Sequence, residues 1–282
     1  HGYRKAYLTL SEELGILRQI AAPIVRNQSP VDPDFFGRIG IWAEQVKQTS
    51  KVEKPSIFLV TLPKSATVFV GHSIAQTLEY DITSTLVTPT FPKNIIWGPM
   101  LLDFLRGGMV SASHLQPDDT NLTLLKRTGV KQIVLHIRDP RAALLSWAHF
   151  VIKAMRKQKK PCHPSFASFD ALNNLDVFVN DSFPFFVKWI DQWMSAERES
   201  PDLIILWMSH EQLVANPQIY FDKIFSFYGL NPKELKLVEK TESTHFRSGD
   251  NSEWRRVFSS DLIKKMNDQI SERLWSKFGW SR

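Results

Sequence analysis

Short apolar runs that lead directly into helical sequence constrain the fold of this chain more than any other feature. They are SIFLVTL at 56–62, KQIVLHI at 131–137 and LIILWMS at 203–209, and MVSASHL at 109–115 is a candidate fourth. Continuous aliphatic and β-branched runs of this length are typical of strands that are buried on both faces of a parallel sheet. Strands that alternate with helices predict an α/β fold, with a central parallel sheet flanked by helices.

The sequence before Pro55 has a different hydrophobic pattern. SEELGILRQI at 11–20 and DPDFFGRIGIWAEQVKQTS at 32–50 both show the apolar spacing of amphipathic helices. No repeat or low-complexity linker divides the rest of the chain. We therefore expect residues 1–54 to form a mainly helical extension that packs on one domain at 55–282.

The charge balance limits the class of partner. The 282 residues carry a formal net charge of +6, which favours anionic ligands without choosing among nucleic acids, acidic glycans and phosphorylated small molecules. The nine tryptophans are scattered and do not interleave with basic residues as in a nucleic-acid stacking surface. No run approaches the roughly 18 apolar residues of a membrane span. The single cysteine, Cys162, suits a reducing compartment. We expect a cytoplasmic protein that binds no nucleic acid and does not cross a membrane.

The segment TLPKSATV at 61–68 joins the first strand to a helix. It brings the N–H groups of a helix N-terminus together with the Lys64 ammonium and the hydroxyls of Ser65 and Thr67. Such a group of donors suits an anion. Alternatively, Ser65 caps the helix and Lys64 is solvated. The glycine-rich turn and GK[ST] ending of a Walker A loop are missing, which disfavours a P-loop kinase.

The segment LHIRDPRAALLSWAHF at 135–150 is a second strand-to-helix junction. Arg138 ends the strand, and Ser146 follows two helical turns later. A guanidinium forms forked, charge-assisted hydrogen bonds to phosphate, and a serine hydroxyl adds a donor. The structural alternative pairs Arg138 with Asp139 and leaves Arg141 as a surface charge.

These segments resemble the motifs of the sulfotransferases that use 3′-phosphoadenosine-5′-phosphosulfate (PAPS). PKSATVF is similar to the family's PKSGTTW, with Ala66 in place of Gly, Val68 in place of Thr and Phe69 in place of Trp. The resemblance implies that the 5′-phosphosulfate is bound by the residues of this loop, which are Lys64, Ser65, Ala66, Thr67, Val68 and Phe69. Lys64 would stabilise the leaving group, and the ring of Phe69 would stack on adenine. Alanine at position 66 is expected to be tolerated if its φ and ψ are helical.

Further segments extend the resemblance as far as Trp254. Arg138 and Ser146 match the family's 3′-phosphate motif, and His210 occupies the place of a tyrosine that contacts the nucleotide. HFRSGDNSEW at 245–254 is similar to the lid motif RKGxxGxW, which makes nucleotide ligands of three further residues: Arg247, Ser248 and Gly249.

SASHLQP at 111–117 resembles the segment that carries the family's catalytic histidine, so the resemblance implies that His114 is the general base. His136, inside an apolar strand, is expected in the core. A carboxylate base is the alternative, and the candidates are Asp103, Asp118 and Asp119.

The family implies a sulfotransferase fold similar to that of P-loop nucleotide kinases. It also implies transfer of a sulfuryl group from PAPS to an acceptor hydroxyl or amine, with release of 3′,5′-adenosine bisphosphate (PAP). No metal is expected, because HExxH, CxxC and paired-carboxylate patterns are missing. The acceptor, whether a small molecule, a lipid or a glycan, stays open. So do two alternatives: a P-loop-type small-molecule kinase and a non-catalytic anion- or nucleotide-binding homologue.

Overall fold

The central element of the fold is a parallel sheet. The computed structural model describes residues 33–49, 54–83, 86–87, 94–158, 175–239 and 250–282. Five strands in these ranges form one sheet: β1 (Ile57–Thr61), β2 (Asp81–Thr83), β3 (Met109–Ser113), β4 (Gln132–Ile137) and β5 (Ile204–Ser209). Their order is β2-β3-β1-β4-β5, and each neighbouring pair is parallel. The predicted α/β class is confirmed, and the four predicted strands are β1, β3, β4 and β5.

Helices connect the strands and cover both faces of the sheet. In the described ranges they are α1 (Pro33–Thr49), α2 (Thr67–Leu78), α3 (Gly98–Phe104), α4 (Asp119–Arg127), α5 (Pro140–Gln158), α6 (Leu175–Asp181), α7 (Phe183–Glu199), α8 (His210–Ala215), α9 (Pro217–Phe227), α10 (Trp254–Val257), α11 (Ser260–Asn267) and α12 (Glu272–Phe278). The helices predicted after β1, β3, β4 and β5 are confirmed. A new helix begins at Pro217, where the Asn216 side chain caps α9 by accepting from the N–H of Ile219 at 3.0 Å.

The core lies in two layers, one on each face of the sheet. Every residue of β1 is buried, as expected of a central strand. One layer contains α2 and α9, and the other contains α5 and α7. The helix that follows β1 and the helix that follows β4 therefore lie on opposite faces. Neighbouring strands whose connections diverge in this way leave a crevice at their carboxyl ends, where α/β proteins bind ligands.

The N-terminal region is described in part. α1 covers most of the second predicted amphipathic run and lies against α3 and α4, where Ile39 and Ala43 are buried. The first run, SEELGILRQI, lies outside the described residues. The boundary between residues 54 and 55 stays a prediction. Among the helices that the structure describes, none has the length and apolarity needed to cross a membrane.

Candidate active site

The loop between β1 and α2 has an unusual backbone. Lys64 and Ala66 have φ values of 66° and 74°, in the left-handed region that side chains disfavour. Between them Ser65 is buried, and its hydroxyl donates to the carbonyl of Leu62 at 2.6 Å. Ala66 is the N-cap of α2, so capping by Ser65 is the wrong alternative. Ala66 also lacks the helical φ and ψ that would make alanine an easy replacement for glycine, which corrects that expectation.

This backbone leaves the start of α2 without a side-chain cap, which is an arrangement that suits an anion. An alanine N-cap has no side-chain acceptor, so it cannot satisfy the N–H groups of the first helical turn. Thr67 and Val68 belong to that turn, and both are partly buried. Phe69 is only 6% exposed and packs in the layer formed by α2 and α9. Most of its ring therefore lies within the core.

The Lys64 side chain reaches across the crevice to α5. Its ammonium lies 4.3 Å from the ring centroid of Phe150. Ser146 is partly buried and precedes Phe150 by four residues, so the two occupy the same face of the helix. On the other side, Nη1 of Arg138 donates to the carbonyl of Lys64 at 3.4 Å. The Arg138 guanidinium thus touches the backbone of Lys64, which brings these two predicted site residues together where β1 and β4 end.

Arg138 is also held by residues 250 and 251, which belong to the described part of the predicted lid segment. Arg138 is 5% exposed. Its Nε donates to Asn251 Oδ1 and its Nη2 donates to the carbonyl of Asp250, each at 3.0 Å. His210 Nδ1 donates to the same Asn251 oxygen at 2.8 Å. Arg138, His210 and residues 250–251 therefore form one cluster. The predicted lid residues 247–249 lie outside the described residues.

Asp139, the residue after Arg138, pairs with Arg141 and not with Arg138. Asp139 is bound by the guanidinium of Arg141, with Nη2–Oδ2 at 2.7 Å and Nε–Oδ1 at 3.0 Å. Arg141 is fully buried, and its guanidinium lies 4.0 Å and 5.0 Å from the ring centroids of Trp254 and Trp275. Both parts of the structural alternative, the Arg138–Asp139 pair and the surface position of Arg141, are wrong.

His114 lies at the end of β3, beside the end of β1. Its Nδ1 is 2.9 Å from the carbonyl oxygen of Thr61. Because a carbonyl can only accept, Nδ1 carries the proton and Nε2 carries the lone pair. The Thr61 hydroxyl is 3.1 Å from the same Nδ1 and 2.7 Å from the hydroxyl of Thr67, which links the histidine to the start of α2, beside the loop of residues 62–66, hereafter the anion loop.

The environment of His114 favours the neutral imidazole. Burial lowers its pKa below 6.5, the bond to Thr61 opposes this, and the charge of Lys64 lowers the pKa further. A neutral imidazole with its lone pair on Nε2 can accept a proton at neutral pH.

The carboxylates considered as alternative bases are either engaged with other groups or exposed. Asp118 caps α4 by accepting from the N–H of Asn121 at 2.8 Å, and burial raises its pKa. Asp103 lies 3.5 Å from Arg106 in an exposed ion pair, and Asp119 is exposed in the first turn of α4. In the part of the chain that the structure describes, no cluster of histidine, cysteine and acidic residues could hold a metal ion.

Sequence reasoning missed three neighbours of the site. Thr61 is the polar last residue of an otherwise apolar strand, which is the signal that could have identified it. Phe150 and Asn251 lie within quoted motif segments, but their contacts with Lys64 and Arg138 depend on tertiary packing. His136 is in the core, as expected, and its contact with the anion loop was not foreseen.

Comparison with known proteins agrees with this geometry. A family model described as the sulfotransferase domain matches residues 54–278, well over half of the chain. The flavonol 3-sulfotransferase of Flaveria bidentis is 22% identical, and the match covers 81% of this chain and 84% of that protein.

A solved sulfotransferase structure has the same fold. Mouse sulfotransferase SULT7A1 complexed with PAP matches with a TM-score of 0.56 at 16% identity, over 84% of this chain and 89% of that one. Retinol dehydratase in a complex with retinol and PAP matches with a TM-score of 0.48 at 14% identity, over 86% of this chain and 88% of that one. From the family match and the arrangement of the crevice, the chain belongs to the sulfotransferase domain family.

Proposed function

We propose that this protein transfers a sulfuryl group from PAPS to an acceptor hydroxyl or amine and releases PAP. The observation that carries the proposal is the meeting of Lys64 and Arg138 at the crevice between β1 and β4, where Arg138 Nη1 lies 3.4 Å from the Lys64 carbonyl. A nucleotide with phosphate groups at both the 3′ and 5′ positions needs two cationic sites within one groove. These two residues supply them.

The donors at the crevice fit such a nucleotide. The N-terminus of α2, a helix of 12 residues, offers N–H groups to the 5′-phosphosulfate together with the Lys64 ammonium and the Thr67 hydroxyl. Ser65 contributes through its backbone, because its hydroxyl donates to the Leu62 carbonyl. Arg138 and Ser146 bind the 3′-phosphate. The remaining proposed nucleotide contacts come from Ala66, Val68, Phe69, His210, Arg247, Ser248 and Gly249.

The transfer step follows from the same residues. As the acceptor oxygen bonds to sulfur, the bond between sulfur and the 5′-phosphate oxygen breaks. His114 Nε2 accepts the acceptor's proton, and the Lys64 ammonium stabilises the negative charge that develops on the departing phosphate oxygen. The hydrogen bond from His114 Nδ1 to Thr61 keeps the imidazole in the tautomer that this step requires.

A small phenolic or alcoholic molecule is the proposed acceptor. Phe150, which is 38% exposed, provides an apolar surface beside the Lys64 ammonium. The name of the Flaveria relative identifies a flavonol as that enzyme's substrate, which supports a phenolic acceptor for this chain. A screen of labelled PAPS against phenols, alcohols, lipids and glycans distinguishes these classes. A cytoplasmic location stays a prediction.

Calorimetric titration with PAP and with adenosine 5′-monophosphate tests the proposal. Arg138→Ala should weaken PAP binding by about 10- to 100-fold, because hydrogen bonds to charged groups contribute about 1.5–3 kcal/mol. The same substitution should have little effect on the monophosphate, which has no 3′-phosphate. Arg198→Ala is the control, since this exposed arginine lies on α7 and pairs only with its neighbour Glu199 among the contacts described. Absence of PAP binding, or equal losses for both nucleotides, would refute the assignment.

Turnover separates this proposal from the main alternative. Binding of PAP without transfer to any acceptor class would identify a non-catalytic nucleotide-binding homologue. The left-handed Ala66 in the anion loop is the observation that favours that reading, because the family has glycine at this position.

A further inference from the structure

His136 and Tyr220 form a buried polar pair directly beneath the anion loop, and the transfer step does not use either of them. His136 lies on β4 and is fully buried, and Tyr220 lies on α9 and is 1% exposed. The Tyr220 hydroxyl is 2.8 Å from His136 Nδ1, and His136 Nε2 contacts the carbonyl oxygen of Ser65.

The hydrogen-bond roles in this pair are determined by the acceptor at its end. The Ser65 carbonyl can only accept, so His136 Nε2 carries the proton. Burial keeps the imidazole neutral, which leaves the lone pair on Nδ1, and the Tyr220 hydroxyl donates to it. Tyr220 therefore selects the tautomer that can hold the loop.

The contact between His136 and Ser65 joins the loop to the sheet where the loop backbone is most strained. The N–H of Leu62 donates to the His136 carbonyl at 2.9 Å, so β4 holds the chain on both sides of Pro63. Lys64 and Ala66 flank the bound residue, and both have left-handed backbones without being glycine. Such conformations persist only where the surrounding structure holds them.

The peptide bond links this contact to the ligand. The Ser65 carbonyl and the Ala66 N–H belong to one planar trans unit, in which they point in opposite directions. When His136 binds the carbonyl from inside the sheet, the N–H is directed outward from it. The helix that begins at Thr67 is held in register with that N–H.

We propose that His136, oriented by Tyr220, is a positioning residue for nucleotide binding, which holds the Ser65–Ala66 peptide so that the N–H groups at the start of α2 face the anion. The proposal rests on the proposed function, because the anion is the 5′ end of PAPS or PAP. In this proposal, the His136 contact supports the loop and so compensates for the strain of alanine in place of glycine at position 66.

A matched pair of tyrosine substitutions tests the proposal. Tyr228 is also a buried tyrosine and directly follows α9, but its hydroxyl accepts from the N–H of Phe58 at 3.1 Å and donates to the carbonyl of Gln132 at 3.0 Å, near the amino ends of β1 and β4. Tyr220→Phe and Tyr228→Phe each remove one buried hydroxyl, and both should lower the melting temperature. Tyr220→Phe should weaken PAP binding by about tenfold, or about 1.4 kcal/mol. Tyr228→Phe should change it by less than about twofold.

A double-mutant cycle with position 66 distinguishes positioning from general destabilisation. His136→Leu should weaken PAP binding by about tenfold in the wild-type background. In the Ala66→Gly background it should have less than about a twofold effect, because glycine adopts the left-handed conformation without support. His136→Gln, whose amide nitrogen can donate to the Ser65 carbonyl, should retain most of the affinity.

Three results would overturn the proposal. Equal effects of the two tyrosine substitutions on PAP affinity, or an undiminished effect of His136→Leu in the glycine background, would show that the pair only stabilises the fold. Failure of the wild-type protein to bind PAP would overturn the proposed function and this inference with it.

Discussion

The buried imidazole of His136 should make the fold sensitive to acid. Burial lowers its pKa from 6.5 to about 4, although the bond to Ser65 opposes this and the charge of Arg138 adds to it. In the unfolded chain the histidine regains its ordinary pKa. Below 6.5 the unfolded state therefore binds a proton that the native state does not. Stability from this group is fully present above pH 6.5 and is lost as the pH falls towards 4.

The size of the effect follows from the same shift. One pKa unit corresponds to about 1.36 kcal/mol, so the full shift is equivalent to about 3 kcal/mol of unfolding free energy. Between about pH 7 and pH 5 the linkage relation gives a loss of about 2 kcal/mol from this residue alone.

Urea unfolding of the wild type and of His136→Gln at pH 7 and pH 5 measures this loss. Other titrating groups contribute to both proteins, so the difference between their pH dependences isolates residue 136. The wild type should lose about 2 kcal/mol more than the variant. Parallel losses in the two proteins would show that the imidazole is solvated or already charged in the native state, and the reasoning from burial would fail.

Two further substitutions test the site. His114→Ala should reduce sulfuryl transfer by about 10²- to 10⁴-fold, which single-turnover assays measure, and should leave PAP affinity unchanged in calorimetry. Because the pKa of His114 is lowered, the activity of the wild-type protein should persist at pH 6.5 and fall only at more acidic pH. Arg141→Leu should lower the unfolding free energy by about 3–5 kcal/mol, because it leaves the buried carboxylate of Asp139 unpaired. The double variant Asp139→Leu/Arg141→Leu should recover part of that loss in urea unfolding, and a loss as large as that of the single variant would contradict the pairing.

Patterns that repeat along the chain predicted most of the sheet. The four apolar runs became β1, β3, β4 and β5, because buried parallel strands require apolar side chains on both faces. β2 was missed, since the three residues DIT have no apolar pattern and form a strand only through pairing with β3. Helices α6 and α7 were not predicted from the sequence, and they bury Phe178 and Trp189 respectively.

The sequence by itself determined which chemical groups are available and which strand each of them follows. Lys64 follows β1, His114 follows β3 and Arg138 follows β4, and a parallel sheet brings all these carboxyl ends to one edge. The apolar pattern of each strand can be recognised from residues close together in the chain. Together with the rule that parallel strands end at the same edge of the sheet, it is enough for that inference.

Only the tertiary structure decided how these groups are held. The left-handed backbone of Ala66, the contact of His136 with Ser65, and the cluster of Arg138 with Asn251 all depend on segments that are distant in sequence. The physical reason is that a strained backbone or a buried donor is stable only when a specific partner lies opposite it. Helix and strand packing, which no local window contains, brings that partner into place.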